Sequence, residues 1–297
     1  MLKNDKYTGL RTKISNVKKL DLELLKTFLE VAQVRNFGKT AENLCVSPST
    51  VSARIRQMED ALGLSLFTRG HHKITLTPAG ERMVRHARFI LGAWERAYED
   101  TALGGGNYRR LVISGVASLW GVFLLDWVNK LYSDMPELGL RLEESTSKRV
   151  IEKLGRGVID LGFLFEPPRL RDINVKEVLR IPLIMVSSNP EVSLDEAVSR
   201  GYIRVEWGTT FTSMHESHFP HRPIAPIRAN TGRIALNLML GSGGAAYLPR
   251  VVVDPYLRDS RLFAVEAAPE IEMKAYAAYL KQGEHRELIQ GILARFE

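Results

Sequence analysis

The chain has 297 residues, too many for one ordinary core and enough for two or three domains. With 45% apolar and 25% charged residues it reads as a folded globular protein, and it has no run of about 18 apolar residues that would suggest a membrane span. Its net charge of +7 favours a polyanionic partner, yet most of the excess lies in residues 1–20, where Lys3, Lys6, Arg11, Lys13, Lys18 and Lys19 form a basic leader with no apolar signal-type stretch.

The charge balance alone is therefore a poor argument for DNA binding. The leader reads either as a solvated, disordered tail or as a tail that touches phosphates. Cys45 is the only cysteine, which excludes an intrachain disulfide and fits a reducing cytoplasm.

The first folded stretch is expected at residues 21–77. Asp21 can cap a helix in which Leu22, Leu25, Phe28, Leu29 and Ala32 recur at helical spacing. Asn36 can cap a second, short helix with Phe37, Ala41 and Leu44 facing inward. Ser47 can cap a third, with Pro48 at its first position, Val51, Ile55, Met58 and Leu62 as its buried stripe and Gly63 as its stop. Two short helices, a turn at Leu44-Cys45-Val46 and a third helix with small polar residues at its start make a helix-turn-helix. In that turn Cys45 is expected to be a small buried residue. Short hydrogen-bonding side chains suit a helix end that must enter the major groove, and the helix N-terminus favours a phosphate. Leu64, Leu66 and Phe67, then Thr68 to Lys73, then Ile74, Leu76 and Thr77 read as two short strands around a basic turn, the wing of a winged helix. The candidate DNA contacts are Ser47, Pro48, Ser49, Thr50, Ser52, Ala53, Arg54 and Arg56 on the third helix and Arg69, His71, His72 and Lys73 in the wing. Arg54, Arg69 and Lys73 are the expected phosphate anchors.

The run Phe37-Gly38-Lys39-Thr40-Ala41-Glu42-Asn43-Leu44, Val46-Ser47-Pro48-Ser49-Thr50-Val51-Ser52, Ile55-Arg56-Gln57-Met58-Glu59, Leu62-Gly63, Leu66-Phe67-Thr68-Arg69 and Leu76-Thr77-Pro78-Ala79-Gly80 resembles the LysR-type transcriptional regulators. Within that family, Glu206-Trp207-Gly208 and Tyr247-Leu248-Pro249 resemble the HdfR-like branch. Two positions depart from the pattern. Pro48 replaces a glutamine that can reach a base, and Thr40 replaces a small alanine. The first shifts expected base readout onto Ser49, Thr50, Ser52 and Arg54.

Residues 78–106 read as a linker helix and a glycine joint. Pro78 opens the helix, Val84, Ala87, Leu91, Trp94 and Tyr98 follow at coiled-coil spacing, and Gly104-Gly105-Gly106 end it. The seam needs a cover, from the chain's own core or from a second subunit. The resemblance implies linker-helix dimers, and the expected assembly is a homodimer or homotetramer.

From residue 107 strands alternate with helices, which predicts a largely parallel sheet. The overall fold class is α/β, and the resemblance implies a two-lobed effector domain like the periplasmic binding proteins. Its first lobe is expected at about 107–180 and 271–297, its second at about 181–270. Such folds bind ligands between lobes, where strand C-termini and helix N-termini meet. Ser118, Ser145, Thr146, Thr209, Thr210, Asn230 and Thr231 lie at such starts and could hold a small anionic effector, with Trp207 lining the cleft. Each could equally be an ordinary cap, and Trp207 ordinary packing.

No catalytic constellation stands out. The chain lacks a Gly-x-Ser-x-Gly elbow, and Ser242-Gly243-Gly244 lacks the Lys-Ser/Thr of a phosphate loop. His215, His218 and His221 have no zincin carboxylate, Pro220 interrupts them, and they are expected on a surface loop. Neither a metal nor a cofactor is implied. The expected function is a cytoplasmic, nucleoid-associated regulator that binds double-stranded DNA, itself and a small effector, and RNA polymerase if it activates. A ligand-free architectural DNA-binding protein and an enzyme with a DNA-binding head are the other readings.

Overall fold

Local capping sets the first three helices. Asp21 caps α1 (Leu22–Val34), accepting from Glu23 N at 3.0 Å. Asn36 caps α2 (Phe37–Asn43), accepting from Lys39 N at 2.9 Å. Ser47 caps α3 (Pro48–Leu62), accepting from Thr50 N at 3.1 Å, and Gly63 ends that helix in the left-handed region at φ 66°. These assignments come from a computed structural model, which describes residues 21–69, 74–102, 110–220 and 225–296. The leader 1–20, His71, His72 and Lys73 of the wing, the joint Gly104-Gly105-Gly106, and His221 lie outside the described residues.

Two compact units divide the chain at Gly104 and Gly105. In the first, α1, α2 and α3 close around Leu25, Phe28, Val31, Val51, Ile55 and Met58, all buried. Strands β1 (Phe67–Arg69) and β2 (Ile74–Leu76) pair antiparallel. One carboxylate ties this wing to α3: Glu59 Oε1 accepts from Leu66 N at 2.7 Å and Phe67 N at 3.2 Å. Thr77 caps the long helix α4 (Pro78–Ala102), accepting from Gly80 N at 3.0 Å. A Cβ on Gly80 would lie 2.2 Å from the Leu66 carbonyl oxygen, so only glycine lets α4 start this close to the wing.

Two expectations change here. Cys45 is exposed rather than buried, in the left-handed region at φ 54°. The turn swings it outward while its neighbours Ala41 and Val46 pack inward. The α4 seam does not have a single cover. Ala87 and Leu91 are buried in the unit's own core with Val84 packed against them, whereas Trp94 and Tyr98 stand 56% and 67% exposed.

The second unit is built on a seven-stranded sheet. Strand β3 (Arg110–Val116) runs parallel to β4 (Gly139–Ser145) and β5 (Leu161–Leu164). The long β6 (Ile173–Ser187) pairs antiparallel with β11 (Ile271–Leu280), β9 (Ala245–Pro249) and β10 (Phe263–Ala264). The sheet is therefore mixed, not largely parallel as expected. The first half of β6 and most of β11 belong with β3, β4 and β5; the second half of β6 carries β9 and β10. Two long strands thus join two lobes. A separate parallel pair, β7 (Ile203–Val205) and β8 (Ile227–Ala229), reaches β9 through a Tyr202–Ala245 bridge.

Helices cover both lobes. After β3 the chain runs through Ala117–Leu119, a π turn at Trp120–Leu124 and Leu125–Asp134, here taken together as α5. Then come α6 (Ser147–Gly155), α7 (Leu194–Ser199), α8 (Thr209–His218), α9 (Gly232–Ser242), α10 (Arg250–Arg258) and α11 (Arg286–Leu293). Among the described residues no helix is long and apolar enough to cross a membrane.

The two described histidines of the cluster are not on a surface loop. His215 and His218 lie on α8, which ends before Pro220, and His215 is only 5% exposed. Its ring packs against Tyr202, Phe211, Phe219 and Tyr247. Burial, then the nearby charges of Arg204 and His218, push its pKa down to about 4. In the unfolded chain a histidine titrates near about 6.5. Between these values the unfolded state takes up a proton that the folded state does not, so stability falls as pH drops through this window. Thermal unfolding followed from pH 7 to 4.5 should show that loss, and His215→Gln should flatten it. An unchanged slope in the variant would refute the assignment.

Candidate nucleic-acid interface and ligand cleft

On α3 the buried stripe fixes what is left to face outward. Val51, Ile55 and Met58 are fully buried; Ser49, Ala53 and Arg56 are exposed, and Thr50 and Ser52 are half-buried. Helical geometry puts these outward residues on one face of the N-terminal turns. Three hydroxyls there form a local cluster, with Ser47 Oγ 2.7 Å from Ser49 Oγ and 2.8 Å from Thr50 Oγ1. Pro48 is exposed at the helix start.

Arg54 is placed differently from its expected role as a free phosphate anchor. Its Nη1 donates to Thr27 Oγ1 at 3.1 Å and lies 3.4 Å from Glu23 Oε2, leaving the side chain 24% exposed. It braces α3 against α1. Arg56 stays outward, with a long contact of 3.4 Å to Ser52 O. Arg69 ends β1, beside the undescribed wing tip.

In the second unit a cavity of about 340 Å³ opens between the lobes. The π turn supplies one wall, with Ser118, Trp120, Val122 and Leu125; irregular helical turns of this kind are frequent at functional sites. Trp207, Thr231, Gly232, Arg233 and Leu248 form the facing wall, and Glu144 stands at the end of β4. Of the eight expected effector residues, Ser118, Trp207 and Thr231 meet here. Trp207 is also core: it is 2% exposed and its Nε1 donates to Tyr247 O at 3.1 Å. Thr231 also caps α9, accepting from Ile234 N at 3.4 Å.

The remaining five do not line this cavity. Ser145 closes β4, Thr146 caps α6 by accepting from Arg149 N at 3.4 Å, and Asn230 precedes Thr231. Thr209 and Thr210 already hold an anion, the chain's own Glu166. Glu166 Oε1 accepts from Thr209 N at 2.7 Å, from Thr210 N at 3.1 Å and from the Thr209 hydroxyl. The hydroxyl bond most of all, with the two N–H bonds, holds this carboxyl below its ordinary pKa, against the opposing effect of burial. Gly208, at φ 115°, lets the backbone present the α8 N-terminus to the carboxylate. Sequence reading missed Glu166 because no local pattern links it to a helix start 43 residues away.

Residues 22–81 match the bacterial regulatory helix-turn-helix protein, lysR family, and residues 104–296 match the LysR substrate binding domain. The chain is 33% identical over 287 residues to the HTH-type transcriptional regulators HdfR of Yersinia pestis (strain Pestoides F) and of Yersinia pseudotuberculosis serotype O:1b, with 92% of this chain and 95% of each relative covered. Its fold is shared with a full-length OxyR variant of Pseudomonas aeruginosa, at TM-score 0.58 and 19% identity over 94% of this chain and 95% of that one. It is also shared with Vibrio fischeri DarR, solved in complex with DNA, at TM-score 0.56 and 20% identity over 94% and 100%. With both parts matched and relatives aligned along nearly its whole length, the chain belongs to the LysR family of transcriptional regulators, with a DNA-binding helix-turn-helix and an effector-binding domain.

Proposed function

We propose that this regulator binds a pseudo-palindromic operator as a homodimer or dimer-based tetramer, and that a small ligand between the lobes of the second unit biases its arrangement. The observation that carries the DNA reading is the outward face of α3. It offers short donors and acceptors at a helix start capped by Ser47, where a major-groove reader needs them. Ser49, Thr50, Ser52 and Ala53 read base edges, and Arg56 and Arg69 contact phosphate. Arg54 acts first by bracing α3, which aims that face.

Trp94 and Tyr98 supply the dimer seam. Two large aromatic side chains on one helix face, half exposed or more, need a cover, and a second α4 offers the same surface by symmetry. The ligand reading rests on the cavity between the lobes. With the α8 N-terminus filled by Glu166, the place left for a ligand anion is the start of α9, where Thr231, Gly232 and Arg233 meet the cavity. A ligand acts only through unequal affinity for two arrangements of the protein. Cytoplasmic, nucleoid-bound work, and contact with RNA polymerase if the protein activates, follow from this role.

Binding measured on selected operator DNA separates the roles on α3. Ser52→Ala should relax preference at one base pair by about 1–3 kcal/mol. Arg56→Ala should weaken all sequences alike and lower the salt slope by about 1. Wild-type specificity and slope in both variants would remove this face from the interface. Sedimentation tests the seam: Trp94→Ala with Tyr98→Ala should shift the protein toward monomer at micromolar concentration. An unchanged assembly would place the interface elsewhere.

A further inference from the structure

A second cavity, of about 380 Å³, lies in the second lobe and, among the described residues, shares no lining residue with the cleft. Tyr202 and Arg204 reach it from β7, Thr212, His215 and Glu216 from α8, and Arg228 from β8. Its polar groups obey a strict order. Arg204 Nη1 lies 2.7 Å from His215 Nδ1, and an arginine can only donate. His215 Nδ1 therefore accepts. A neutral imidazole carries a single ring hydrogen, so that hydrogen sits on Nε2, which donates to the Tyr202 hydroxyl oxygen at 2.8 Å. The Tyr202 hydroxyl hydrogen is then left over. Tyr202 is buried, and among the described residues no acceptor faces that hydrogen.

The rest of the wall is also rich in donors. Arg204 spends one nitrogen on His215, lies over the Phe211 ring at 5.6 Å, and has a loose ion pair at 3.9 Å with the exposed Glu216. Arg228 pairs at 3.2 Å with Glu206, which does not line the cavity. Among the described lining residues Glu216 is the one carboxylate, against two guanidinium groups.

We propose that this cavity is a second ligand site, for a small oxyanion held by Arg204, Arg228 and the Tyr202 hydroxyl. Guanidinium donors and a buried hydroxyl that must find an acceptor form a charge-assisted cradle for phosphate or carboxylate oxygens. His215 acts as a positioning residue: its fixed tautomer turns the Tyr202 hydrogen away from itself. Helix α8 holds Glu166 at its first turn and lines this cavity with its later turns; none of its described residues lines the cleft.

The test is a titration of the full chain with inorganic phosphate, and separately with acetate, at constant ionic strength. The readout is the ring-nitrogen NMR signals of His215, assigned by their loss in His215→Gln. A saturable shift should appear at millimolar phosphate. Arg228→Gln, at an exposed position outside the core, and Tyr202→Phe should each weaken it by about tenfold or more. Saturation by acetate in place of phosphate also supports the site and assigns a carboxylate ligand. No saturable shift with either anion, or equal affinity in Arg228→Gln and wild type, overturns the proposal.

Discussion

The packing of α3 is the constraint on which the rest depends. A helix of 3.6 residues per turn that buries Val51, Ile55 and Met58 completely has no freedom left to rotate. Its opposite face is the one left outward, and the proposed reading places the DNA contacts there. Two contacts from outside the helix reinforce that setting. Arg54 ties it to Thr27 and Glu23 of α1, and Glu59 ties it to the wing through Leu66 and Phe67. Recognition helix and wing are thereby presented as one rigid piece. This is what sequence readout requires, because a misaimed donor loses its discrimination between bases.

The second unit uses charge differently. Its expected anion site at the start of α8 is satisfied by Glu166, and those residues do not line the cavity between the lobes. The backbone N–H groups that close this contact are the ones a ligand carboxylate would have used. What remains open is a mostly apolar cavity edged by Arg233 and Glu144, next to a helix start capped by Thr231. The π turn at Trp120–Leu124 widens α5 at the point where it borders that cavity. In the proposed reading, ligand choice falls to side chains around α5 and α9 more than to the threonines of α8.

Local signals were the legible ones. Asp21, Asn36 and Ser47 act within three residues of themselves, so their caps and the helices they start could be read directly. Signals that depend on distant partners could not. The first half of β6 carries Lys176, Glu177 and Arg180, whose charges mask its strand period; Glu177 pairs with Lys274 of β11, 97 residues away. Thr209 and Thr210 marked the start of α8, but Pro220 read as loop punctuation and hid that the helix runs on through His215 and His218. The apolar repeat of α4 was visible, but periodicity cannot say that Leu91 meets the chain's own core while Trp94 does not. Cys45 illustrates the same limit, since the direction of a turn residue follows from how Ala41 and Val46 pack around it.

The most direct test of the central claim is selection of the purified protein on randomised duplex DNA at near-physiological salt, followed by sequencing. The account predicts an enriched, dyad-symmetric motif with half-sites about one helical turn or more apart. Binding with no enriched motif, lost steadily as salt rises, would contradict it and leave a sequence-indifferent, architectural protein.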